Sequence, residues 1–378
     1  MIDMRDIKMV DLHKQYLNIK EDVDEAIQSV IDSSSFVNGS EVEEFSAELA
    51  SYNGSKYVIP CANGTDALQI ALMALELKPG DEVLVPAFTY VASVEVIALL
   101  GLTPVMVDVD YNTFNVTVEN LEKGLSPHTK AIIPVHLFGQ SCPMESILAF
   151  AEKYRLYVIE DNAQAIGSYY QYADGHKVKT GAMGHIGCTS FFPSKNLGCF
   201  GDGGALFTND DRLAKRIKMI ANHGQQVKYH HEVVGCNSRL DTIQAAILRV
   251  KLRHLDQYGV ARHRAAQIYT EGLENVPGVI TPLEIAASYH VYHQYTLKVL
   301  DGKRDALKAY LAERGIPSMI YYPLPLQEQE AFQSIAKKAG CLGTALILAR
   351  SVLSLPMHSE LGIEEQQFII NSIKSFYK

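Results

Sequence analysis

Between residues 57 and 208, short runs of β-branched and other apolar residues alternate with helical patterns. Seven runs have the composition of buried strands: YVIPC, EVLVP, PVMVDV, AIIPV, YVIED, CTSFF and GALFT. This alternation predicts a mostly parallel sheet with helices on both faces. The segment 193–203 between the last two runs is too short for a helical crossover, so we expect the final strand to pair antiparallel. The pattern therefore predicts an α/β fold around a mixed, mostly parallel, seven-stranded sheet.

The hydrophobic pattern changes after Asp241. A long helical pattern covers residues 242–273, and a mixture of helix and strand patterns runs from Val291 to the end. The simplest division is a large domain over residues 1–250 and a smaller C-terminal α+β domain over residues 251–378, with the long helix as the connector.

Composition narrows the classes of function. The chain has 378 residues, of which 47% are hydrophobic, so it is long enough for one large or two moderate cores. Polar residues interrupt the longest apolar stretches, and the N-terminal residues lack a signal-peptide core, so we expect a cytoplasmic protein without a membrane span. A formal charge of −9 argues against nucleic-acid binding. The six cysteines are scattered without C-x-x-C spacing, so no metal site is predicted.

Two residues at predicted strand ends indicate the chemistry. Asp161 ends the apolar run YVIED, where a carboxylate needs a cationic partner such as a protonated pyridine, or else caps the following turn. Lys195 follows Phe191, Phe192 and Pro193, whose burial lowers the pKa of a neighbouring lysine and leaves a nucleophilic amine. Ligands of open α/β sheets bind beyond the carboxyl ends of the strands, where both residues fall. An amine and an acid so placed indicate pyridoxal phosphate (PLP), held by Lys195 as a Schiff base.

A phosphate group has candidate ligands nearby. Gly64 and Thr65 follow the first predicted strand and precede an apolar helical run, so their amides open a helix N-terminus. The same segment is also explained as an ordinary helix cap by Asn63. Ser190, five residues before Lys195, adds a hydroxyl that can bind the phosphate.

Four further residues are candidates for contacts with the ring or the substrate. Tyr90 follows the strand EVLVP and is either a plate that stacks on the cofactor ring or a core residue. Gln164 faces the same side as Asp161 if a helical turn follows that strand. His230 and His231, in the stretch HGQQVKYHH, lie either near an anion or in a polar surface loop.

The chain resembles the DegT/DnrJ/EryC1/StrS family of PLP-dependent nucleotide-sugar aminotransferases over nearly its full length. The stretches that carry the resemblance are CANGTDALQIAL, PAFTYVAS, IEDNAQAIG, CTSFFPSKNLGCFGDGGALFTNDD, GCNSRLDTIQAAIL and SVLSLPMH. Within the family it is most similar to enzymes of surface-polysaccharide and O-antigen biosynthesis that aminate UDP-2-acetamido-2-deoxy-3-oxo-glucuronate at C3, which share HGQ, YHH and NSRLDT.

The resemblance implies PLP-dependent fold type I, as in aspartate aminotransferase, and a homodimer with shared active sites. It also implies glutamate as the amino donor, 2-oxoglutarate as the by-product and the aminated cofactor, PMP, as the intermediate form. Lys195 corresponds to the Schiff-base lysine and Asp161 to the partner of the pyridine nitrogen. The other implied cofactor ligands are Thr65, Tyr90, Gln164, Ser190 and, from the second subunit, Asn237. The implied substrate contacts are Arg239 of the second subunit, His230, His231, Tyr321 and Tyr322.

Alternatives remain open for the acceptor. The C3 uronate enzymes carry a histidine at the position of Tyr321, whereas other sugar aminotransferases carry tyrosine, so another 3-keto or 4-keto nucleotide sugar is the second hypothesis. Related sugar dehydratases replace the lysine with histidine, so Lys195 argues against dehydration. A non-catalytic regulator on the same fold is the hypothesis of another class, and the acidic charge balance argues against it.

Overall fold

A mixed sheet with helices on both faces forms the centre of the molecule. The structure is a computed structural model and describes residues 7–378. The helices of this part are α1 Leu12–Asn18, α2 Lys20–Ser33, α3 Ser40–Asn53, α4 Gly64–Ala74, α5 Ala92–Leu99, α6 Val118–Gly124, α7 Met144–Tyr154, α8 Asp211–Ala221, α9 Thr242–Leu252, α10 Leu255–Leu273, α11 Arg304–Glu313, α12 Gly343–Ser351 and α13 Ile363–Phe376. Short 3-10 turns cover Leu137–Gly139, Leu326–Glu328 and Glu330–Phe332.

The strands form one large sheet and three small ones. They are β1 Tyr57–Cys61, β2 Glu82–Pro86, β3 Thr103–Val107, β4 Thr129–Ile132, β5 Tyr157–Asp161, β6 Tyr169–Gln171, β7 Lys177–Lys179, β8 Ile186–Ser190, β9 Gly204–Thr208, β10 Gln225–Val227, β11 His230–His231, β12 Val279–Ile280, β13 Ser288–Tyr289, β14 Tyr295–Val299, β15 Lys337–Lys338 and β16 Val352–Leu355. The large sheet has the order β1-β9-β8-β5-β4-β2-β3-β15.

All seven predicted strands belong to this large sheet. Strands β3, β2, β4, β5 and β8 are parallel, and β9 pairs antiparallel with both β1 and β8. The prediction of a mixed, mostly parallel sheet is therefore confirmed, including the antiparallel final strand.

The predicted number of strands is wrong by one, because Lys337–Lys338 adds an eighth strand beside β3. Its two lysines are exposed and have no apolar alternation, so no strand pattern marks them. A long-range contact fixes this edge: Lys337 Nζ lies 2.6 Å from an oxygen of Glu82, a carboxylate buried at the start of β2.

Strand β9 shows how both faces of the sheet are covered. Successive side chains of a strand point to opposite faces. Leu206 packs into the core that contains α4, α5 and α7, whereas Ala205 and Phe207 pack into a separate core with Phe45 of α3 and Leu248 of α9.

The helical pattern over residues 242–273 forms two helices instead of one. The break falls at Arg253 and His254, between α9 and α10. The physical reason is that the two halves pack on different partners: α9 contacts α2 and α3, whereas α10 contacts α13. Helices α10 and α13 share a separate core with the small sheet β12-β14-β16. The boundary between domains at residue 250 stays a prediction.

Residues 7–378 contain neither a helix suited to a membrane nor a cluster of metal-binding side chains. No helix in this range has the length and apolarity that a bilayer crossing requires. In the same range, no three His, Cys, Asp or Glu side chains are grouped so that they could hold a metal ion.

Candidate active site

A cavity of about 660 Å³ opens at the carboxyl ends of the central strands. Asp161 is the last residue of β5, Ser190 is the last residue of β8, and Lys195 lies in the loop between β8 and β9. The cavity therefore lies where the sheet topology predicts a ligand. The predicted site residues that line it are Gly64, Thr65, Tyr90, Asp161, Gln164, Ser190, Lys195, Tyr321 and Tyr322.

Lys195 presents an amine with nucleophilic character to this cavity. Burial lowers the pKa of Lys195 to about 8, and the negative charge of Asp161 partly opposes that shift. Its backbone amide donates to Phe192 O at 2.8 Å, which closes the loop that carries it. No hydrogen bond joins the Lys195 Nζ to another residue of the range 7–378. The prediction that burial lowers the pKa of Lys195 is confirmed, whereas the contribution of its apolar flanks stays a prediction, since Phe192 is 52% exposed.

Asp161 is buried and held from two sides. Ser93 Oγ of α5 donates to its Oδ2 at 2.8 Å, and the amide of Ala163 donates to its Oδ1 at 3.1 Å. The second bond is the turn cap that the sequence left open as an alternative. Each carboxylate oxygen has a further lone pair, so the cap leaves Asp161 able to accept a hydrogen bond from a ligand. Sequence reasoning missed Ser93, although it ends the stretch PAFTYVAS.

Gln164 forms another wall of the cavity together with Tyr90, Tyr321 and Tyr322. Gln164 Oε1 accepts from the Phe138 amide at 2.7 Å, and its Nε2 donates to the Tyr322 hydroxyl at 3.1 Å. Burial raises the pKa of Tyr322 and of Tyr321. The Tyr90 ring lies 6.1 Å from the Tyr322 ring and is 55% exposed, so the interpretation of Tyr90 as a core residue is wrong.

The start of α4 lies against the ends of β8 and β9. Asn63 accepts from the Asp66 amide at 2.8 Å, so the predicted cap is present. This cap leaves the amides of Gly64 and Thr65 outside the intrahelical ladder. A Cβ on Gly64 would lie 2.7 Å from the Ser190 Cβ, so only glycine fits at that position. The close approach brings the helix start and the serine hydroxyl to the same end of the cavity.

The predicted residues His230, His231, Asn237 and Arg239 do not line the cavity of their own chain. The two histidines form the exposed strand β11 of a hairpin with β10. Between Asn237 and Arg239, Ser238 is buried and its hydroxyl donates to Asp66 at 2.6 Å. Its neighbours are less enclosed, since Asn237 is exposed and Arg239 is half-buried.

Two cavity residues of the C-terminal part, His293 and Gln294, were also missed. They lie just before β14, in a stretch that carries no motif spacing, and only long-range packing brings them to Lys195. In the sequence, the only sign of these two residues is that they form a polar pair between apolar neighbours.

Comparison with known proteins decides the family. A model described as the DegT/DnrJ/EryC1/StrS aminotransferase family matches residues 17–374. The chain belongs to this family. A Geobacillus stearothermophilus relative named pleiotropic regulatory protein is 46% identical over 98% of this chain and 99% of its own.

Two other relatives are named for their reactions. The UDP-2-acetamido-2-deoxy-3-oxo-D-glucuronate aminotransferase of Pseudomonas aeruginosa is 46% identical over 94% of this chain and 96% of its own. The UDP-N-acetyl-3-dehydro-alpha-D-glucosamine 3-aminotransferase of Acidithiobacillus ferrooxidans is 45% identical over 95% of each chain.

Solved structures agree in fold. A family aminotransferase from Brucella abortus has a TM-score of 0.93 and 42% identity, covering 98% of this chain and 99% of that one. NtdA from Bacillus subtilis, solved with bound PMP, has a TM-score of 0.86 and 30% identity, covering 94% and 81%. The predictions of the fold and of a PLP-dependent sugar aminotransferase are confirmed.

The cavity fits this cofactor at three chemically different points. Lys195 offers an amine for the aldehyde, Asp161 offers a carboxylate for the pyridine nitrogen, and the amides of Gly64 and Thr65 with the Ser190 hydroxyl offer donors for the phosphate. The closeness of Gly64 and Ser190 leaves no room for a side chain on residue 64, and both residues line the cavity. These individual roles remain predictions.

Proposed function

We propose that this family member transfers the amino group of glutamate to C3 of UDP-2-acetamido-2-deoxy-3-oxo-glucuronate, in the synthesis of a surface polysaccharide. The observation that carries the proposal is Lys195, a low-pKa amine in a cavity that also presents Asp161 and the start of α4. Two relatives at 45–46% identity support the site of amination, since both are named for a UDP-linked 3-keto sugar.

Different residues of the chain would have different roles in the proposed reaction. Bound PLP supplies an electron sink for the carbanion at the reacting carbon. Asp161, fixed by Ser93, holds the charge on the pyridine nitrogen. Lys195 carries a proton to and from the reacting carbon, because an amine with a pKa near 8 both accepts and releases protons near neutral pH. Tyr322, which accepts a hydrogen bond from Gln164, would help to exclude water from the side of the cavity that holds the cofactor ring.

We also propose that a second copy of the chain completes the acceptor side. Asn237, Arg239 and the histidines of β11 lie outside their own cavity, and Arg239 offers a planar guanidinium suited to a carboxylate or a phosphate. The same segment exposes apolar side chains: Tyr229 is 78% and Val234 is 85% exposed. A homodimer that covers these residues would bring the neighbour's Arg239 to the cavity mouth, opposite Tyr321 and Tyr322.

Single-turnover kinetics would test the acceptor. Loss of PMP absorbance would be followed with UDP-2-acetamido-2-deoxy-3-oxo-glucuronate, its 3-oxo-glucosamine counterpart and a dTDP-4-keto-6-deoxy sugar. We expect the uronate to react at least about tenfold faster than the others, because Arg239 would then pair with its carboxylate.

The other outcomes are equally informative. Faster reaction of the glucosamine compound would move the proposal to an acceptor without the carboxylate, and faster reaction of the dTDP sugar would overturn C3 amination. A protein that takes up no PLP would favour the regulatory role for which the Geobacillus relative is named.

A further inference from the structure

Lys251 is a buried lysine near the end of helix α9, and it does not line the cavity. Its side chain is 1% exposed, and its ammonium group donates to the backbone oxygen of Gly198 at 2.5 Å. The centre of the Phe200 ring lies 5.6 Å from its Nζ. Stability alone does not explain this arrangement, because an apolar side chain of similar length would avoid the cost of burying a charge. The role of Lys251 is therefore indicated by the loop that it binds.

The loop that contains Gly198 also presents Lys195 to the cavity. Gly198 follows Lys195 by three residues and is buried. A Cβ on Gly198 would lie 2.3 Å from the backbone oxygen of Pro193, so the chain approaches itself closely on the two sides of Lys195. Residues 193–198 therefore form a closed turn, the lysine turn, and a shift of Gly198 moves one end of it.

Lys251 holds an atom of the lysine turn that nothing else in residues 7–378 holds. No backbone amide in this range donates to the oxygen of Gly198. Gln244, which lies on the same helix, binds the loop further along, where it accepts from the Phe200 amide at 2.8 Å. Loss of the Lys251 ammonium group would leave the buried oxygen of Gly198 unpaired, which is costly enough to displace the backbone.

We propose that Lys251 is a positioning residue for Lys195, because its bond to Gly198 keeps the Lys195 amine within reach of the cofactor aldehyde. The inference rests on the proposed role of Lys195 as the Schiff-base residue and does not depend on the identity of the acceptor sugar. In that reaction the nitrogen bonds to the aldehyde carbon, and the aldehyde oxygen takes both amine protons and leaves as water. A misplacement of about 1 Å reduces such a reaction by about 100-fold.

The first test compares the binding of PLP and PMP to the apoprotein. PLP carries the aldehyde that reacts with Lys195, whereas PMP carries an amine there and forms no Schiff base with a lysine. In Lys251→Met we expect the dissociation constant of PLP to rise about tenfold and that of PMP to change less than about twofold. Fluorescence titration measures both constants. Equal increases would overturn the inference, because a distorted cavity weakens the binding of both forms alike.

Hydrogen exchange of the apoprotein provides a readout without cofactor or turnover. The amides of Lys195 and Cys199 donate to the oxygens of Phe192 and Phe191, each at 2.8 Å, so they report on the closure of the loop. In Lys251→Met they should exchange about tenfold faster, while the amides of β8 and β9 stay unchanged. Unchanged exchange at Lys195 and Cys199 would contradict the inference. Faster exchange throughout the sheet would also contradict it, since Lys251 would then stabilise the fold as a whole.

Lys298 offers a matched control. It is also 1% exposed, and its ammonium group donates to a backbone oxygen, that of Tyr111, at 3.0 Å. It lies on β14 and makes no hydrogen bond to the lysine turn. Lys298→Met removes the same kind of bond elsewhere, so it should leave the PLP constant and the exchange of the Lys195 amide unchanged. Effects equal to those of Lys251→Met would refute a specific link between Lys251 and Lys195.

A double variant tests whether the effect passes through Lys195. Once Lys195→Ala has removed the amine, addition of Lys251→Met should change the PLP dissociation constant less than about twofold. Additive losses would overturn the inference. If Lys251→Met does not fold, Lys251→Gln provides the same comparisons, because it keeps an N–H donor on a side chain that is one bond shorter.

The failure of this inference can be distinguished from the failure of the role proposed for Lys195. Borohydride reduction of the wild-type holoenzyme should attach the cofactor to Lys195. A label on another residue would overturn that role and the inference with it. A label on Lys195, together with equal changes of the PLP and PMP constants in Lys251→Met, would overturn the positioning role of Lys251 alone.

Discussion

The cavity wall around Lys195 and the segment 225–239 carry predicted site residues in opposite settings. In the wall, Asp161 and Lys195 lie at strand ends or in the loop that follows, surrounded by their own chain. In the segment, His230 and His231 are exposed, and Arg239 does not line the cavity. Most groups proposed for the cofactor therefore line a cavity within one chain, whereas Asn237, Arg239 and the two histidines lie outside it, and we propose that a second copy of the chain brings them there.

A lowered pKa does not by itself distinguish Lys195, the proposed reactive residue, from other buried lysines. Burial lowers the pKa of Lys251 and Lys298 to about 8 as well. Their ammonium groups, however, donate to the carbonyls of Gly198 and Tyr111. Lys195 differs because its Nζ has no hydrogen bond to residues 7–378 and lies in the cavity with Asp161.

Loss of the Lys195 amine should have the strongest effect, and it tests the difference between Lys195 and the other two buried lysines. Lys195→Ala should reduce transamination by about 10⁴-fold or more, because it removes the amine and its proton transfer together. Borohydride reduction of the wild-type holoenzyme, followed by peptide mapping, should place the cofactor on Lys195. Lys298→Met is the matched control and should keep its label and most of its activity. A label on Lys251 or Lys298 would contradict the assignment.

The next effect tests whether the segment 225–239 contributes Arg239 to the active site of the other subunit. Arg239→Ala should lower activity about 100-fold, because a charge-assisted contact with the acceptor is lost. When the Arg239→Ala and Lys195→Ala proteins are mixed and their subunits exchange, half of the dimers should contain one chain of each variant. Each mixed dimer would have one intact site of two, so the mixture should recover roughly a quarter of wild-type activity. Each variant alone is the control, and no recovery in verified heterodimers would refute the shared site.

A smaller loss should follow from Asp161→Asn. Replacing a buried charged partner by a neutral one costs about 1.5–3 kcal/mol, or roughly 10- to 150-fold in the PLP dissociation constant. Ser93→Ala removes the hydroxyl that donates to Asp161 and should have a milder effect in the same direction. Fluorescence titration of the apoprotein measures both. Unchanged affinity in the Asn variant would separate Asp161 from the cofactor.

The smallest effect is a pH dependence. Since the pKa of Lys195 is about 8, its free amine fraction rises as pH rises through 8. The rate of PLP uptake by the apoprotein should therefore increase roughly tenfold from pH 7 to pH 9 and then level off. In Asp161→Asn the curve should move to lower pH, because the carboxylate that raises the pKa is gone. A rate that falls with increasing pH would contradict the low-pKa amine.

Local sequence patterns predicted seven of the eight strands of the large sheet and the candidate pair Lys195 and Asp161. Periodicity defined seven strands because each is a local run of apolar residues, and the short link before β9 dictated its antiparallel pairing. Lys195 and Asp161 were predictable because each lies at or just beyond the end of such a run. Family motifs then indicated residues such as Arg239, whose roles no local pattern reveals.

The set of distant residues that share the cavity depends on long-range packing, which no local pattern predicts. Hydrogen bonds from Asn196 to Val291 and from Arg262 to His293 hold the segment of His293 near Lys195, and Ser93 of helix α5 reaches Asp161 at the end of strand β5. The edge strand at Lys337–Lys338 likewise depends on a buried carboxylate far away in the chain. Such contacts join residues far apart in sequence, and their strength comes from burial and exclusion of water, which appear only once the chain has folded.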